Sequence, residues 1–229
     1  MSAIDVHSLS KSYGKVRALD GVSFSVERGE LFGLIGPDGA GKTTLFRLLT
    51  TLINPDEGSA TVDGCDIKKD YLAIRKRVGY MPGRFSLYPD LSVEENLQFF
   101  AALFGVTVEG SYDLIAPIYK QIEPFRTRRA GKLSGGMKQK LALSCALIHR
   151  PSVLFLDEPT TGVDAVSFSE FWDMLAGLKE RGMTILVSTP YMDEAKRCDR
   201  IALCNEGRIL GIDTPTGIVQ GFDKPLYGI

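Results

Sequence analysis

Histidine and paired cysteine are scarce in this sequence. The two histidines, His7 and His149, lie far apart and in different contexts, so a zinc site is not expected. Four cysteines, Cys65, Cys145, Cys198 and Cys204, form no C-x-x-C pair. They read as reduced cytosolic thiols, three of them part-buried packing residues. Neither sign of charge dominates: 27 Lys and Arg stand against 28 Asp and Glu, for a net charge of −1. That balance argues against a nucleic-acid partner. The densest basic patch, Arg126-Thr-Arg-Arg129, reads as a solvated loop. No apolar run nears the ~20 residues of a membrane span. No apolar segment follows Met1, so no signal peptide is expected. Repeats and low-complexity stretches are missing as well.

What is present is ordinary globular composition, 44% hydrophobic and 24% charged over 229 residues. This suffices for one α/β domain with a subdomain grafted on. The N-terminal part is an antiparallel β portion: Ala3–Leu9 alternates loosely and Val22–Val26 strictly, and the short apolar run Leu31–Ile35 follows. A helix is predicted over Lys42–Thr50, a turn over Asn54–Gly58 and a strand over Ala60–Val62. From Ser86 the character becomes helical. Ser92-Val-Glu-Glu95 is a capping-box pattern opening a helix to Phe104, and further helices are predicted over Tyr112–Gln121 and Ser134–His149.

After the helical stretch the α/β pattern returns. Val153–Leu156 and Thr184–Val187 read as strands buried on both faces. Helices are predicted over Ala165–Glu180 and Tyr191–Arg197, and a hairpin of Ile201–Cys204 with Ile209–Ile212 around Asn205-Glu-Gly207. The division this predicts is 1–83 and 147–229 as two parts of a core, with 84–146 inserted as a helical subdomain. Gly221–Ile229 carries neither a cap nor a charged tail, so the natural chain is expected to continue.

The chemistry starts at Gly36-Pro37-Asp38-Gly39-Ala40-Gly41-Lys42-Thr43-Thr44. It follows a strand and opens a helix, the context that G-x-x-x-x-G-K-[ST] requires. Its glycines let backbone N–H groups turn toward phosphates, and the helix N-terminus adds partial positive charge. Lys42 reaches the β- and γ-phosphates and Thr43 ligands Mg²⁺. The second piece is Val153-Leu-Phe-Leu-Asp-Glu-Pro159. It carries Asp157 to a buried strand tip, within reach of the magnesium shell, and places Glu158 to polarise an attacking water. The third is Leu133-Ser-Gly-Gly-Met-Lys-Gln139, a helix start rich in free N–H groups.

With these three pieces in this order and spacing, the chain resembles the nucleotide-binding subunits of ATP-binding cassette (ABC) transporters, over Ile4 to about Ile212. The resemblance implies a P-loop NTPase core with a mixed, mostly parallel sheet, and ATP with Mg²⁺ as cofactors. It implies that Tyr13 stacks on adenine, the alternative being a surface tyrosine in a turn. Ser134, Gly135 and Gly136 would bind the γ-phosphate of ATP held by a second, facing subunit, and Asp164 would couple the two sites. The implied partners are that second subunit and a membrane-spanning subunit, and the implied location is the inner face of the cell membrane. Tyr88–Leu97 and Tyr191–Ala195 look similar to exporters of drugs, lipids or polysaccharides. Phe85, Leu87 and Tyr88 suit a docking groove for the membrane subunit, or serve as core. Cassette ATPases that act on ribosomes or DNA carry charged linkers, coiled coils or tandem domains, none of which appears here.

Two departures stand out. Pro190 occupies the position where the family normally has a histidine that contacts the γ-phosphate, and neither His7 nor His149 matches that context. Ser188 and Thr189 are the hydroxyl-bearing neighbours. Gly83 occupies the position of a glutamine that contacts Mg²⁺ and water; Arg84 beside it offers a cation near phosphate, and Gln98 lies within a helix. The expectation is a site that binds MgATP well and hydrolyses it slowly, completed by a different partner or a tandem half. The alternative is a nucleotide-gated regulatory half with little turnover.

Overall fold

The computed structural model describes residues 2–221. Two sheets organise them. The strands β1 (Ser2–Tyr13), β2 (Val16–Glu27), β4 (Glu57–Val62) and β5 (Cys65–Asp66) form an antiparallel sheet in the order β2-β1-β4-β5. The second sheet has six strands: β3 (Leu31–Ile35), β6 (Val78–Met81), β7 (Val153–Asp157), β8 (Thr184–Thr189), β9 (Arg200–Asn205) and β10 (Arg208–Asp213). Its order is β10-β9-β3-β8-β7-β6, parallel throughout except for the β9–β10 hairpin. This is the mixed sheet with an antiparallel N-terminal portion that the sequence implies.

The parallel strands are buried on both sides, and successive residues split between two cores. Phe32 and Leu34 of β3 face the antiparallel sheet, α1 (Lys42–Leu49) and α2 (Tyr71–Arg77). Leu31 and Ile35 face α3 (Val93–Phe104), α4 (Val108–Tyr119), α5 (Gly135–Leu147) and α6 (Ala165–Glu180). That double burial explains their unbroken apolar runs. Two short α-helices, α7 (Met192–Ala195) and α8 (Pro215–Gln220), follow, and single 3-10 turns stand at Glu123–Phe125 and Ala130–Lys132.

The capping box forms as read. Ser92 Oγ accepts from Glu95 N at 3.1 Å, and Glu95 Oε2 accepts from Ser92 N at 2.7 Å. The next orphan donors of α3, Val93 N and Glu94 N, are taken by the carbonyls of Arg128 and Arg126. The basic patch is therefore a solvated loop by its side chains and a helix cap by its backbone. Gly36, Gly79 and Gly41 are places where a side chain would collide with neighbouring backbone. A Cβ on Gly36 would stand 2.1 Å from Cys204 O, which lets β9 close tightly on the loop.

Several expectations need correction. Helix α2 and strand β6 were not predicted: α2 is short and buries only Ile74, and β6 is four residues interrupted by Gly79. Helix α4 starts at Val108 rather than Tyr112, because Thr107 Oγ1 caps Gly110 N, and it carries Pro117 within it. Helix α5 ends at Leu147 rather than His149. Leu87 is buried at 7% exposure, not presented like Phe85 and Tyr88. The expectation for Gly221–Ile229 lies outside the described residues apart from Gly221, the C-cap of α8.

Candidate nucleotide-binding site

The site is assembled where the carboxyl ends of β3, β7 and β8 meet, and β3 and β7 are entirely buried. After β3 the chain loops through Gly39 (φ 82°) and Gly41 (φ 98°) into α1. At Gly41 a Cβ would meet Ala18 O at 2.4 Å, so both the left-handed backbone and the close approach of the β1–β2 hairpin require glycine there. Lys42 is 4% exposed, and its Nζ donates to Gly36 O at 2.7 Å and Pro37 O at 3.0 Å. The same ammonium stands 3.5 Å from Glu158 Oε1.

Across from the loop, Asp157 is held at both oxygens. Oδ2 accepts from Thr43 Oγ1 at 2.8 Å and Oδ1 from Ser188 Oγ at 2.6 Å. A buried carboxylate touching a hydroxyl is a hard-oxygen donor set, suited to Mg²⁺, which takes few protein ligands and completes its shell with phosphate and water. Among the described residues there is no cluster of three or more His, Cys, Asp or Glu to favour a softer ion. Glu158 turns back in the left-handed region (φ 49°), a conformation that costs a non-glycine residue of order 1–3 kcal/mol. Its amide donates to Ser188 O at 3.1 Å, which fixes the turn.

Lys42, Thr43 and Glu158 border a cleft of about 570 Å³, and Asp157 reaches it through its bond to Thr43. Asp38 through Thr44 and Glu158 line it on one side; Val16, Arg17, Ala18 and Glu206 form the walls that the sequence did not mark. No pattern announces those four, since two hairpin tips bring them together. Tyr13 is 46% exposed and does not line the cleft, but it pairs across β1–β2 with Val16, which does.

Ser134, Gly135, Gly136 and Asp164 lie away from the cleft and against one another. Ser134 caps α5, and a Cβ on Gly136 would meet Ser167 Oγ at 2.4 Å. Asp164 caps α6, accepting from Val166 N, Ser167 N and Ser167 Oγ. The Ser167 backbone bond, then its hydroxyl, hold the Asp164 carboxyl below its ordinary value.

The two departures sit beside the chemistry. A Cβ on Gly83 would stand 3.0 Å from Asp157 O and 3.8 Å from Glu158 Cβ. Pro190 follows Thr189, whose carbonyl accepts from Gly36 N at 3.3 Å. Of the neighbouring hydroxyls, Ser188 donates its proton to Asp157, while Thr189 Oγ1 accepts from Tyr191 N at 3.0 Å. Arg84 is not on the cleft but on an apolar groove of about 700 Å³, with Leu72, Tyr80, Phe85 and Leu103. Gln98 is exposed on α3, away from the cleft.

A glycine-rich loop between a buried parallel strand and a helix, facing an Asp-Glu strand tip, defines a P-loop nucleotide-binding fold. The ABC transporter family model matches residues 19–161. The chain is 41% identical over 216 residues to the probable multidrug ABC transporter ATP-binding protein YbhF of Escherichia coli (strain K12), covering 93% of this chain and 37% of that protein. It is 40% identical over 223 residues to the Nod factor export ATP-binding protein I of Burkholderia orbicola (strain AU 1054), covering 96% and 73%. A solved ATP-binding subunit of an ABC transporter superposes with a TM-score of 0.86 at 29% identity, covering 96% of this chain and 92% of that one. The chain belongs to the ABC transporter family and is an ATP-binding domain of it, the part that in this family acts as a transport-coupled ATPase. It spans little more than a third of YbhF.

Proposed function

We propose that this domain binds MgATP in the cleft under the Gly36–Thr44 loop, pairs head-to-tail with a second nucleotide-binding unit, and powers export while hydrolysing its own ATP slowly. The observation that carries the reading is that Lys42, Thr43 and Glu158 line one cleft, with buried Asp157 bonded to Thr43 and with Ser134–Gly136 and Asp164 grouped outside the cleft. On this reading the loop amides and Lys42 neutralise the phosphates, and Thr43 and Asp157 hold the magnesium ion. The ion, when bound, draws charge from the phosphate oxygens. Glu158 orients and polarises the attacking water. Nucleotide has to displace Glu158 from Lys42, because both claim the same ammonium.

Slow turnover is supported by what surrounds Glu158. Pro190 offers no side-chain donor, Gly83 offers no side chain, and the Ser188 hydroxyl is already given to Asp157. Tyr13 would cover the adenine from the end of β1. Residues 1–83 and 147–229 would act as the ATP-binding core and 84–146 as the helical subdomain. Export is supported by the printed functions of the relatives, multidrug transport and Nod factor export. No helix among the described residues is long and apolar enough to cross a membrane. The groove beside Arg84, with Leu72 and Leu103 more than 60% exposed, would receive the membrane-spanning partner at the inner face of the cell membrane. The regulatory reading, a half that gates on nucleotide with almost no turnover, differs only in rate and rests on the same two replacements.

Equilibrium dialysis with MgATP tests the foundation. The parent chain should bind, and Lys42→Ala should weaken binding at least about tenfold, the loss of one charge-assisted phosphate contact of roughly 1.4 kcal/mol or more. Equal binding by both proteins would remove the loop from the site.

A further inference from the structure

Beyond the nucleotide loop, one buried carboxylate has no place in the account so far. Glu194 lies in α7, four residues after Pro190, and is 3% exposed. Its Oε1 accepts from Thr160 Oγ1 at 2.6 Å, and its Oε2 is buried without a hydrogen-bond partner among the described residues. Burial pushes its pKa up against the pull of the Thr160 and Thr189 hydroxyls, and the charge of Glu158 adds to the rise. A carboxyl kept in such a place costs stability that an apolar residue would not.

Thr160 is what makes the position informative. It stands two residues after Glu158 and four before Asp164, in a turn closed by Thr161 N to Glu158 O and Val163 N to Thr160 O. Upstream, this segment is pinned to β8 through the Glu158 amide and Ser188. Downstream it leans on the start of α5, where a Cβ on Gly135 would stand 3.3 Å from Gly162 O. The Thr160–Glu194 bond ties the middle of the segment to the chain just beyond Pro190. Two elements that must keep register around the γ-phosphate are thus joined by one buried side-chain bond.

We propose that Glu194 is a positioning residue for ATP hydrolysis: through Thr160 it sets where Glu158 and the Asp164 segment stand relative to the end of β8. The inference rests on the reading that Glu158 works on the attacking water. In a chain whose strand end carries Pro190, this bond replaces part of the order that a side-chain contact to phosphate would impose from that side.

The test compares the parent with Glu194→Gln, Glu194→Leu and Thr160→Val, each checked for a cooperative melting transition well above the assay temperature. Two readouts are taken: single-turnover hydrolysis of bound MgATP, and hydrogen exchange of residues 158–164 with and without MgATP. Glu194→Leu and Thr160→Val should each slow hydrolysis about tenfold with ATP affinity unchanged, and combining them should add nothing further, as expected of groups acting as a unit. Both should speed exchange in 158–164. Glu194→Gln keeps an oxygen to accept from Thr160 and should restore the parent's rate and protection. Parent-like rate and exchange in Glu194→Leu would overturn the inference, as would a Gln variant that behaves like Leu. Should parent turnover fall below detection, exchange alone decides by the same criteria. A parent that binds no ATP would instead sink the nucleotide reading, while exchange without nucleotide would still judge the Thr160–Glu194 tie.

Discussion

Ser188 illustrates how much of the site depends on single atoms. Its hydroxyl donates to Asp157 Oδ1 and its carbonyl accepts the Glu158 amide, so one residue of β8 orients both Asp157 at the end of β7 and Glu158 just after it. Ser188→Ala leaves a buried carboxylate oxygen without its donor and should cost about 1–3 kcal/mol, read as a lowered denaturation midpoint. Loss of MgATP affinity should accompany it, and an unaltered midpoint would mean that water replaces the hydroxyl. The replacements at 83 and 190 make an opposite prediction. Pro190→His together with Gly83→Gln should raise phosphate release, since restoring one preorganised donor is commonly worth ~10²–10³ in rate. The glutamine needs a small local shift, because its Cβ would sit 3.0 Å from Asp157 O. A double variant no faster than the parent would place the limit on turnover elsewhere.

At the scale of elements, the sheets are knitted by a few charged residues at turns. Asp63, between β4 and β5, pairs with Arg28 at 2.7 Å and Arg77 at 3.3 Å and accepts from Ser152 Oγ at 3.1 Å. Burial works against its ionised form, but Arg28, Ser152 and Arg77 outweigh it and hold the carboxyl below its ordinary value. A depressed folded pKa contributes stability that is present above the unfolded value of ~3.9 and lost as pH falls through the folded one. Asp63→Asn should therefore lower the denaturation midpoint at pH 7, and the gap between variant and parent should close below about pH 4. A gap that persists in acid would mean that Asp63 acts by shape and not by charge.

The same scale shows which elements could be read in advance. The predicted and observed bounds of helix α6, Ala165–Glu180, coincide because Asp164 caps its start and its apolar residues repeat at helical spacing. Strands β3, β7 and β8 were visible because burial on both faces leaves continuous apolar runs. Helix α2 and strand β6 escaped because each is too short to show a period, and the folded sheet, not their own pattern, stabilises them. The loop residues from Gly36 to Thr44, with Asp157 and Glu158, were legible as motifs. The Val16–Ala18 and Glu206 walls, the bond from Ser188 to Asp157 and the one from Thr160 to Glu194 were not, since each joins segments distant in sequence.

For the whole molecule, the proposed function turns on the separation of two surfaces. On the proposed reading the cleft under the loop takes one nucleotide, while Ser134–Gly136 and Asp164 group outside it. A second unit brought face to face would give each surface a counterpart, and ATP bridging the two would favour the closed pair by linkage. Such a pair need not be symmetric. On the proposed reading, a unit with Gly83 and Pro190 would lend its Ser134–Gly136 surface to a partner whose own strand end is complete.

The most direct test of slow hydrolysis at an ATP-binding site is phosphate release by the purified chain at saturating MgATP, with Glu158→Gln as background. The account predicts a rate close to that background in protein shown to bind ATP. A rate far above it would mean that Gly83 and Pro190 have been compensated, and that the domain turns over its own ATP as an ordinary motor.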